Sequence, residues 1–457
     1  MSLSSRPRRR LAGLAAALPL VLLAACGGDE ETPAAGGSDE GGGGACEPTA
    51  TAENPVNLTF TSWVPGVEEA VALWNEQNPD IQVEAQSGPA GNAGTYNNFF
   101  NALEAGTAPD LGQIEYDSLA SFRLQQGLTD IAECPGISDA EGEFVDWTWA
   151  QAQLGGDGVW AVPQDTGPMA MYYRRDLFEA AGITAAPTTW DEYYQAAVAI
   201  KAANPEARIT HFPQGDANWF TGLLWQSQAE LFGVDGDTVQ VSVDNEQSRQ
   251  VADYWQRMID EDLVATNLQG FSPDLYAAWN GGTVASWVSA AWGYSTIRDN
   301  APDTSGQWAV APMPQWEAGG ESAGNWGGST TAVFSGTDHP AEAAEFALWL
   351  NTNPDSLEIL NREGGLFPAA TAGLDLPALS EGVEFYGGEP IFDVFRDASE
   401  QVDTDFTWGP TMTDTYRFMQ DGFTAALNGQ GTLGDALASA QEQTLSSLQA
   451  QGISATG

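Results

Sequence analysis

The sequence predicts a mixed α/β fold organised around parallel strands, and three observations carry that prediction. Strand-like and helix-like apolar periods follow one another in the first ordered stretch, in the order strand, helix, strand. Amphipathic helical patterns recur through the middle and at the end of the chain. At 457 residues, with 42% hydrophobic and 10% aromatic residues, the chain exceeds one ordinary core and can fill two.

The first strand is read at Val56-Asn57-Leu58-Thr59-Phe60, where apolar and polar residues alternate. A helix follows with Val67, Ala70, Val71 and Trp74 on one face, and Asn78-Pro79 stops it. Ile81, Val83 and Ala85 then alternate again. Strand, helix and strand over so short a stretch make a βαβ unit, which joins parallel strands. Further along, Thr189-Trp190-Asp191-Glu192 reads as a capping box, with Trp190, Tyr194, Ala197 and Val198 on the buried face behind it. Val251, Trp255, Met258 and Ile259 form another buried stripe. Tyr416, Met419, Phe423 and Leu427, then Leu433, Leu437, Leu445 and Leu448, mark two closing helices.

The N-terminus predicts where the protein works. Arg6, Arg8, Arg9 and Arg10 precede an apolar stretch over 11–25, too short to span a bilayer, which takes about 20 residues. It ends in Leu23-Ala24-Ala25-Cys26, small residues at a cut, so residues 1–25 read as a signal peptide. Leu-Ala-Ala-Cys is similar to a lipobox, which would make Cys26 the acylated first residue of the mature chain. Residues 26–54, rich in Gly, Ala, Asp and Glu and containing Gly41-Gly42-Gly43-Gly44, read as a flexible tether. The expected location is the extracellular face of the cell membrane, with the membrane met only through the lipid.

A net charge of -48, with Lys201 as the single lysine, repels nucleic acid and anionic lipid and excludes both as partners. Adaptation to salt and compositional drift on a secreted surface both account for that acidity. Cys46 and Cys134 remain once Cys26 is lipidated, and in an oxidising exterior an even pair is most simply a disulfide. Closing so long a loop contributes about 4 kcal/mol through the unfolded state. His211 and His339 are the only histidines and no Cys-x-x-Cys occurs, so neither a metal nor a cofactor is expected.

Several segments together resemble the family 1 extracellular solute-binding proteins. Leu58-Thr59-Phe60-Thr61-Ser62-Trp63 and Trp74-Asn75-Glu76-Gln77-Asn78-Pro79-Asp80-Ile81-Gln82-Val83 are similar to that family's first βαβ unit. Ala105-Gly106-Thr107-Ala108-Pro109-Asp110, with Phe122 and Gly127-Leu128-Thr129-Asp130, is similar to its second. The strongest match runs from Trp160-Ala161-Val162-Pro163-Gln164-Asp165-Thr166-Gly167-Pro168 through Tyr172-Tyr173-Arg174-Arg175-Asp176-Leu177-Phe178 and Ala181-Gly182-Ile183 to Pro187-Thr188-Thr189-Trp190-Asp191-Glu192. Gly364-Gly365-Leu366-Phe367-Pro368-Ala369 resembles a late motif. The resemblance implies a two-lobed periplasmic-binding-protein-like fold of type II, with ligand in the cleft between lobes joined by hinge crossings. It places the passages near 165–169, 311–314 and 351–354. That gives one lobe from 55–166 with 313–351 and another from 167–312 with 352–457. It also implies a solute-binding component of an ABC importer, a permease as partner, and a monomer.

The 17 tryptophans divide by context. Trp74, Trp190, Trp255 and Trp349 lie on periodic helix faces and read as core. Trp63, Trp219, Trp287, Trp292, Trp326 and Trp408 lie in Gly-, Ser-, Asn- or Pro-rich surroundings typical of loops. A sugar ring stacks its C–H face on an indole and offers its hydroxyls to carboxylates, so aromatic platforms beside acidic loops suit carbohydrate. By resemblance, Trp292 and Trp219 stand at stacking positions and Asp117 at a hydroxyl-binding aspartate. Ile114 and Gly167 depart from the pattern of maltodextrin binders at a stacking tryptophan and a hinge-proximal glutamate, with Asp165 a compensating carboxylate. The candidate ligand residues are therefore Trp63, Glu115, Asp117, Asp165, Trp219, Trp292, Trp326 and Trp408, and no catalytic residue is expected. The rival readings are a polyamine or other small solute bound by the same fold, and a secreted glycoside hydrolase using a pair such as Glu115 and Asp117.

Overall fold

The computed structural model describes residues 46–91, 94–236 and 238–457. The expected signal peptide, the acylated Cys26 and the tether as far as residue 45 lie outside the described residues.

β1 (Val56–Ser62), α1 (Val67–Gln77) and β2 (Ile81–Ser87) form where the apolar periods place them. β1 and β2 pair in parallel, from Val56 opposite Ile81 to Ser62 opposite Ser87. α1 buries Val67, Ala70, Val71 and Trp74, the stripe its spacing dictates. α2 (Thr95–Ala105), β3 (Leu111–Glu115) and α3 (Tyr116–Leu124) repeat the unit, and β3 lies parallel to β1. α4 (Asp146–Gln153) and β4 (Val162–Pro163) follow.

The chain then builds a second body. It runs through β5 (Met169–Arg174), α5 (Arg175–Ala180), α6 (Trp190–Ala203), β6 (Thr210–His211), α7 (Ala217–Gln226), β7 (Phe232–Asp235) and β8 (Thr238–Val241). α8 (Glu246–Asp260), β9 (Val264–Ala265), α9 (Pro273–Gly281), β10 (Ser286–Ala290), α10 (Gly293–Asn300) and β11 (Trp308–Pro312) complete that excursion. β12 (Ser329–Val333), α11 (Pro340–Thr352) and α12 (Pro354–Gly364) come next. The chain closes with α13 (Pro377–Ser380), α14 (Ile391–Glu400), α15 (Met412–Leu427), α16 (Leu433–Ala450) and β13 (Ala455–Thr456).

One sheet has the order β2-β1-β3-β12-β4, a second β10-β5-β11, and β13-β8-β7 and β6-β9 are smaller. β12 runs antiparallel to β3 and β4, and both partners of β5 run antiparallel to it. Parallel pairing therefore holds for β2-β1-β3 and not for the second sheet. A strand's apolar period carries no direction; the connection that returns the chain decides it. The chain leaves the first sheet after Pro163, enters the second at Met169, and returns between Pro312 and Ser329. The two passages press together. Gly167 N–H donates to Asn325 Oδ1 at 2.9 Å, Trp326 N–H donates to Gly167 O at 2.8 Å, and a Cβ on Gly167 would lie 2.0 Å from Trp326 O. Only glycine fits there.

α12 packs on α1 and α11, with Arg362 paired to Glu69 at 2.8 Å. Two expectations for α6 need correcting. Val198 is 39% exposed; the buried face of α6 is centred on Trp190, Tyr193, Tyr194, Ala197 and Ile200. The capping box is half formed. Thr189 Oγ1 accepts from Glu192 N–H at 3.2 Å, but Glu192 Oε2 accepts from Thr188 N–H at 2.7 Å, one residue early, where the chain pairs with Gln315.

Cys46 and Cys134 are bonded in a disulfide, 88 residues apart in sequence with Cα atoms 4.8 Å apart. Beside it, the buried Glu342 of α11 takes the incoming chain: its Oε1 accepts from Thr49 N–H, from Thr49 Oγ1 at 2.8 Å and from Ala50 N–H at 2.7 Å. Burial pushes this carboxyl up, yet the donors of Thr49 and Ala50 outweigh it and hold the group below the usual carboxylate range. Cys134→Ser should therefore cost about 2–4 kcal/mol of stability, and Glu342→Ala about 1–3 kcal/mol. Urea midpoints measure both; variants that match the wild type would show that the 46–50 segment contributes nothing.

Candidate functional site

The carboxyl ends of β1 and β3 open towards the second body, as strand ends do in α/β sheets that bind ligands. A cleft of about 790 Å³ lies there. Trp63 follows β1, Gln113 and Glu115 end β3, Asp165 lies in the first passage, and Trp326, Gly327 and Gly328 lie in the return. The facing wall carries Asp216 and Asn218 at the start of α7, Phe271 before α9, Trp292 before α10 and Tyr416 on α15.

A hydrogen-bond relay fixes the first wall. Trp63 N–H and Ser62 Oγ donate to Gln113 Oε1 at 3.2 and 2.8 Å, and Gln113 Nε2 donates to Ser329 Oγ at 2.9 Å. Ser329 N–H and Oγ then donate to Asp165 Oδ1 at 2.8 and 2.6 Å. Gly328, at φ 91, brings the return loop so close that a Cβ would lie 2.9 Å from Asp165 O. The aromatic groups form two platforms. Trp63 meets Tyr96 edge-on at 5.9 Å, and Trp292 packs on Trp326 at 4.7 Å with its Nε1 donating to Trp326 O at 3.2 Å.

Carboxylates dominate the polar lining. Burial, with Asp117 nearby, pushes Glu115 up to about 8, while the Tyr96 hydroxyl donates to its Oε2 at 3.1 Å. Burial pushes Asp165 and Asp216 each up to about 6. Asp117 is also raised by burial. Among the described lining residues the one cation is Arg417, which pairs with Asp414 at 3.2 Å. The cleft thus presents aromatic faces beside carboxylate acceptors that outnumber its one cation. What completes it is a molecule with apolar faces and many hydrogen-bond donors. Among the described residues no group of three or more His, Cys, Asp or Glu could hold a metal ion, and no helix is long and apolar enough to cross a membrane.

The expected site residues divide by place. Trp63, Glu115, Asp165, Trp292 and Trp326 line the cleft together. Asp117 lies one layer behind, accepting from Ser118 Oγ at 2.8 Å and from Asn218 Nδ2 at 3.0 Å. Trp219 does not line it. Asp216 caps α7 by accepting from Trp219 N–H at 2.9 Å, and the helix then turns Asn218 into the cleft and Trp219 inward. There Trp219 is 1% exposed, donates to Val288 O at 2.9 Å and packs on Trp255 at 5.1 Å. Trp408 is corrected too: it packs on Phe406 and Trp225 beside a separate groove near α3, α4 and β7. Trp287, read as a loop residue, is a buried member of β10. Phe271, Asp216, Asn218 and Tyr416 were missed. Asp216 could have been found as an N-cap beside a loop, whereas Tyr416 sits at a core spacing that hides it.

The fold and the cleft define a two-lobed solute-binding protein. The model for bacterial extracellular solute-binding proteins matches residues 59–355, and the chain belongs to that family. It is 27% identical over 347 residues to the arabinooligosaccharide-binding protein of Halalkalibacterium halodurans, covering 74% of this chain and 76% of that one. It is 26% identical over 307 residues to the lactose-binding protein of Rhizobium radiobacter, covering 65% of this chain and 69% of that one. Its fold matches the galacto-N-biose-/lacto-N-biose I-binding protein of the Bifidobacterium longum ABC transporter, solved with lacto-N-biose, at a TM-score of 0.79 and 29% identity over 88% of this chain and 99% of that one.

Proposed function

We propose that this chain is the extracellular solute-binding component of an ABC importer that captures a neutral mono- or oligosaccharide and delivers it to a membrane permease. The observation that carries this reading is that one cleft gathers two aromatic platforms, Trp63 and Trp292 with Trp326, around the carboxylates Glu115, Asp165 and Asp216. Sugar hydroxyls supply donors to Glu115, Asp165 and Asp216, and pyranose C–H faces stack on the indoles. Acidic saccharides are disfavoured by the same carboxylates. The relatives that bind arabino-oligosaccharides and lactose support a carbohydrate ligand.

In this reading the lobes are 55–166 with 313–364, and 167–312 with the remainder, and ligand draws them together because it touches both. The chain acts as a monomer, anchored through Cys26 on the extracellular face, and performs no chemistry on its ligand. The carboxylates would equally accept the ammonium groups of a polyamine, so a thermal-shift screen should carry both classes. A matching saccharide at about 100 times its Kd should stabilise the protein by about 2.7 kcal/mol. Stabilisation by spermidine and by no saccharide would replace the carbohydrate reading, and new reducing ends after incubation with oligosaccharides would make the protein an enzyme.

A further inference from the structure

We propose that Phe271 is a specificity-determining residue of the cleft: its exposed ring is the platform for a second sugar unit, so that the protein selects oligosaccharides over monosaccharides. The inference rests on the carbohydrate reading and deepens it.

Phe271 is 49% exposed, and the other large apolar side chains exposed among the described residues, Leu124, Val198 and Val234, lie outside the cleft. Burial therefore does not explain a phenylalanine at the mouth. Its backbone makes the choice more costly. At φ 54 it occupies the left-handed region that bulky residues avoid. The start of α9 imposes this conformation. Ser272 caps the helix, accepting from Leu275 N–H at 3.3 Å and donating to Gln269 O at 2.7 Å, and Pro273 fixes the first turn. Glycine would occupy position 271 without strain, yet the chain keeps an aromatic ring there. A strained residue with little burial to offset it points to function.

The ring is placed to extend the second platform. It lies 5.8 Å from Trp292 at 33° and 5.9 Å from Trp326 at 44°, with Trp287 edge-on at 6.1 Å. Exposure grades along this wall, from buried Trp287 and Trp326 through half-buried Trp292 to Phe271. Asp165 is buried and Glu115 and Asp216 are half-buried, less exposed than Phe271, and so serve a unit held deeper in the cleft. A unit further out meets an aromatic face, which rewards stacking more than hydroxyl pattern. The cleft, at about 790 Å³, lies in the upper part of the range of small-molecule sites and holds more than one ring.

The test is calorimetry on the full chain and on Phe271→Ala, Phe271→Trp and Val198→Ala. The probes are arabinose with arabino-oligosaccharides of increasing length, and galactose with lactose and lacto-N-biose. In a series the wild type binds, Phe271→Ala should remove most of the affinity gained from the second unit, a loss of about tenfold, or ~1.4 kcal/mol. The shortest bound sugar should lose less than about threefold. Phe271→Trp should restore the gain, and Val198→Ala should change nothing. An equal loss at every length, no loss at any length, or a wild type that binds monosaccharides as tightly as longer sugars would overturn the proposal. A wild type that binds no saccharide would instead overturn the carbohydrate reading and this role with it, whereas binding with an inert Phe271 overturns this role alone.

Discussion

Trp219→Ala should destabilise the protein by about 3–5 kcal/mol, the cost of removing a fully buried indole, while Trp292→Ala should leave the fold standing and lose ligand. The two residues look alike in sequence, and their surroundings set them apart. Trp219 fills the space between Trp255 and Phe212, and its deletion leaves Val288 O without the N–H that reaches it at 2.9 Å. No water can reach that carbonyl without opening the core, so the lost hydrogen bond adds to the cavity. Trp292 is half-buried at the cleft, and in the proposed reading its ring is a surface for the sugar. Losing it should reduce saccharide affinity about 10- to 100-fold, on the scale of burying one large apolar side chain. Urea unfolding and calorimetry on the two variants separate the roles. A Trp219→Ala protein of wild-type stability with reduced affinity would return Trp219 to the site and sink the assignment of its indole to the core.

Why that distinction escaped the sequence is a matter of helix phase. Asn218 and Trp219 are adjacent, so a turn of about 100° in the helix frame sends one to the cleft and the other to the core. That phase is set by where Asp216 caps α7, a feature readable only once the helix start is known. That Trp63, Glu115 and Asp165 would meet in one cleft was legible for the opposite reason. They follow from a local rule, that ligand residues gather beyond the carboxyl ends of parallel strands and at the passage between bodies. The β1-α1-β2 unit was legible because its period, stop signal and pairing all lie within one short stretch. The second sheet pairs β5 with β10 and β11, strands separated by several helices, and no local period reports their direction. Trp408 misled because a Gly- and Pro-rich setting marks irregular backbone and not exposure.

Asp165→Asn should make the empty protein more stable at pH 8 and make it bind saccharide more weakly, with the two effects arising from one charge. Burial raises the Asp165 carboxyl to about 6, against the two donors of Ser329 that oppose the rise. Below about pH 4 it is protonated in both folded and unfolded chains, and its burial costs nothing in charge. Between that point and its folded value the unfolded chain has lost the proton while the folded chain keeps it, so stability falls as pH rises. Above about 6 both forms are ionised and the full penalty stands, about 3 kcal/mol for a shift of this size. Asp216 behaves alike, and Glu115 carries the decline on to about 8. An asparagine in place of Asp165 keeps an oxygen for Ser329 and removes the buried charge, so the variant should gain most above pH 6 and little below pH 4. The general repulsion of so acidic a chain also grows with pH, but it is shared by both proteins and cancels in their difference. Ligand affinity should run the other way. Hydroxyls that donate to a carboxylate favour its ionised form, so binding releases protons: affinity rises with pH up to about 6 through Asp165 and Asp216, and on towards 8 through Glu115. Measured together, thermal unfolding of the two empty proteins and calorimetry across this range should give opposite slopes for the wild type and flatter ones for Asp165→Asn. A variant less stable than the wild type at pH 8, or a wild-type affinity that does not change with pH, would show that Asp165 is satisfied by the protein alone and has no donor to take from the ligand.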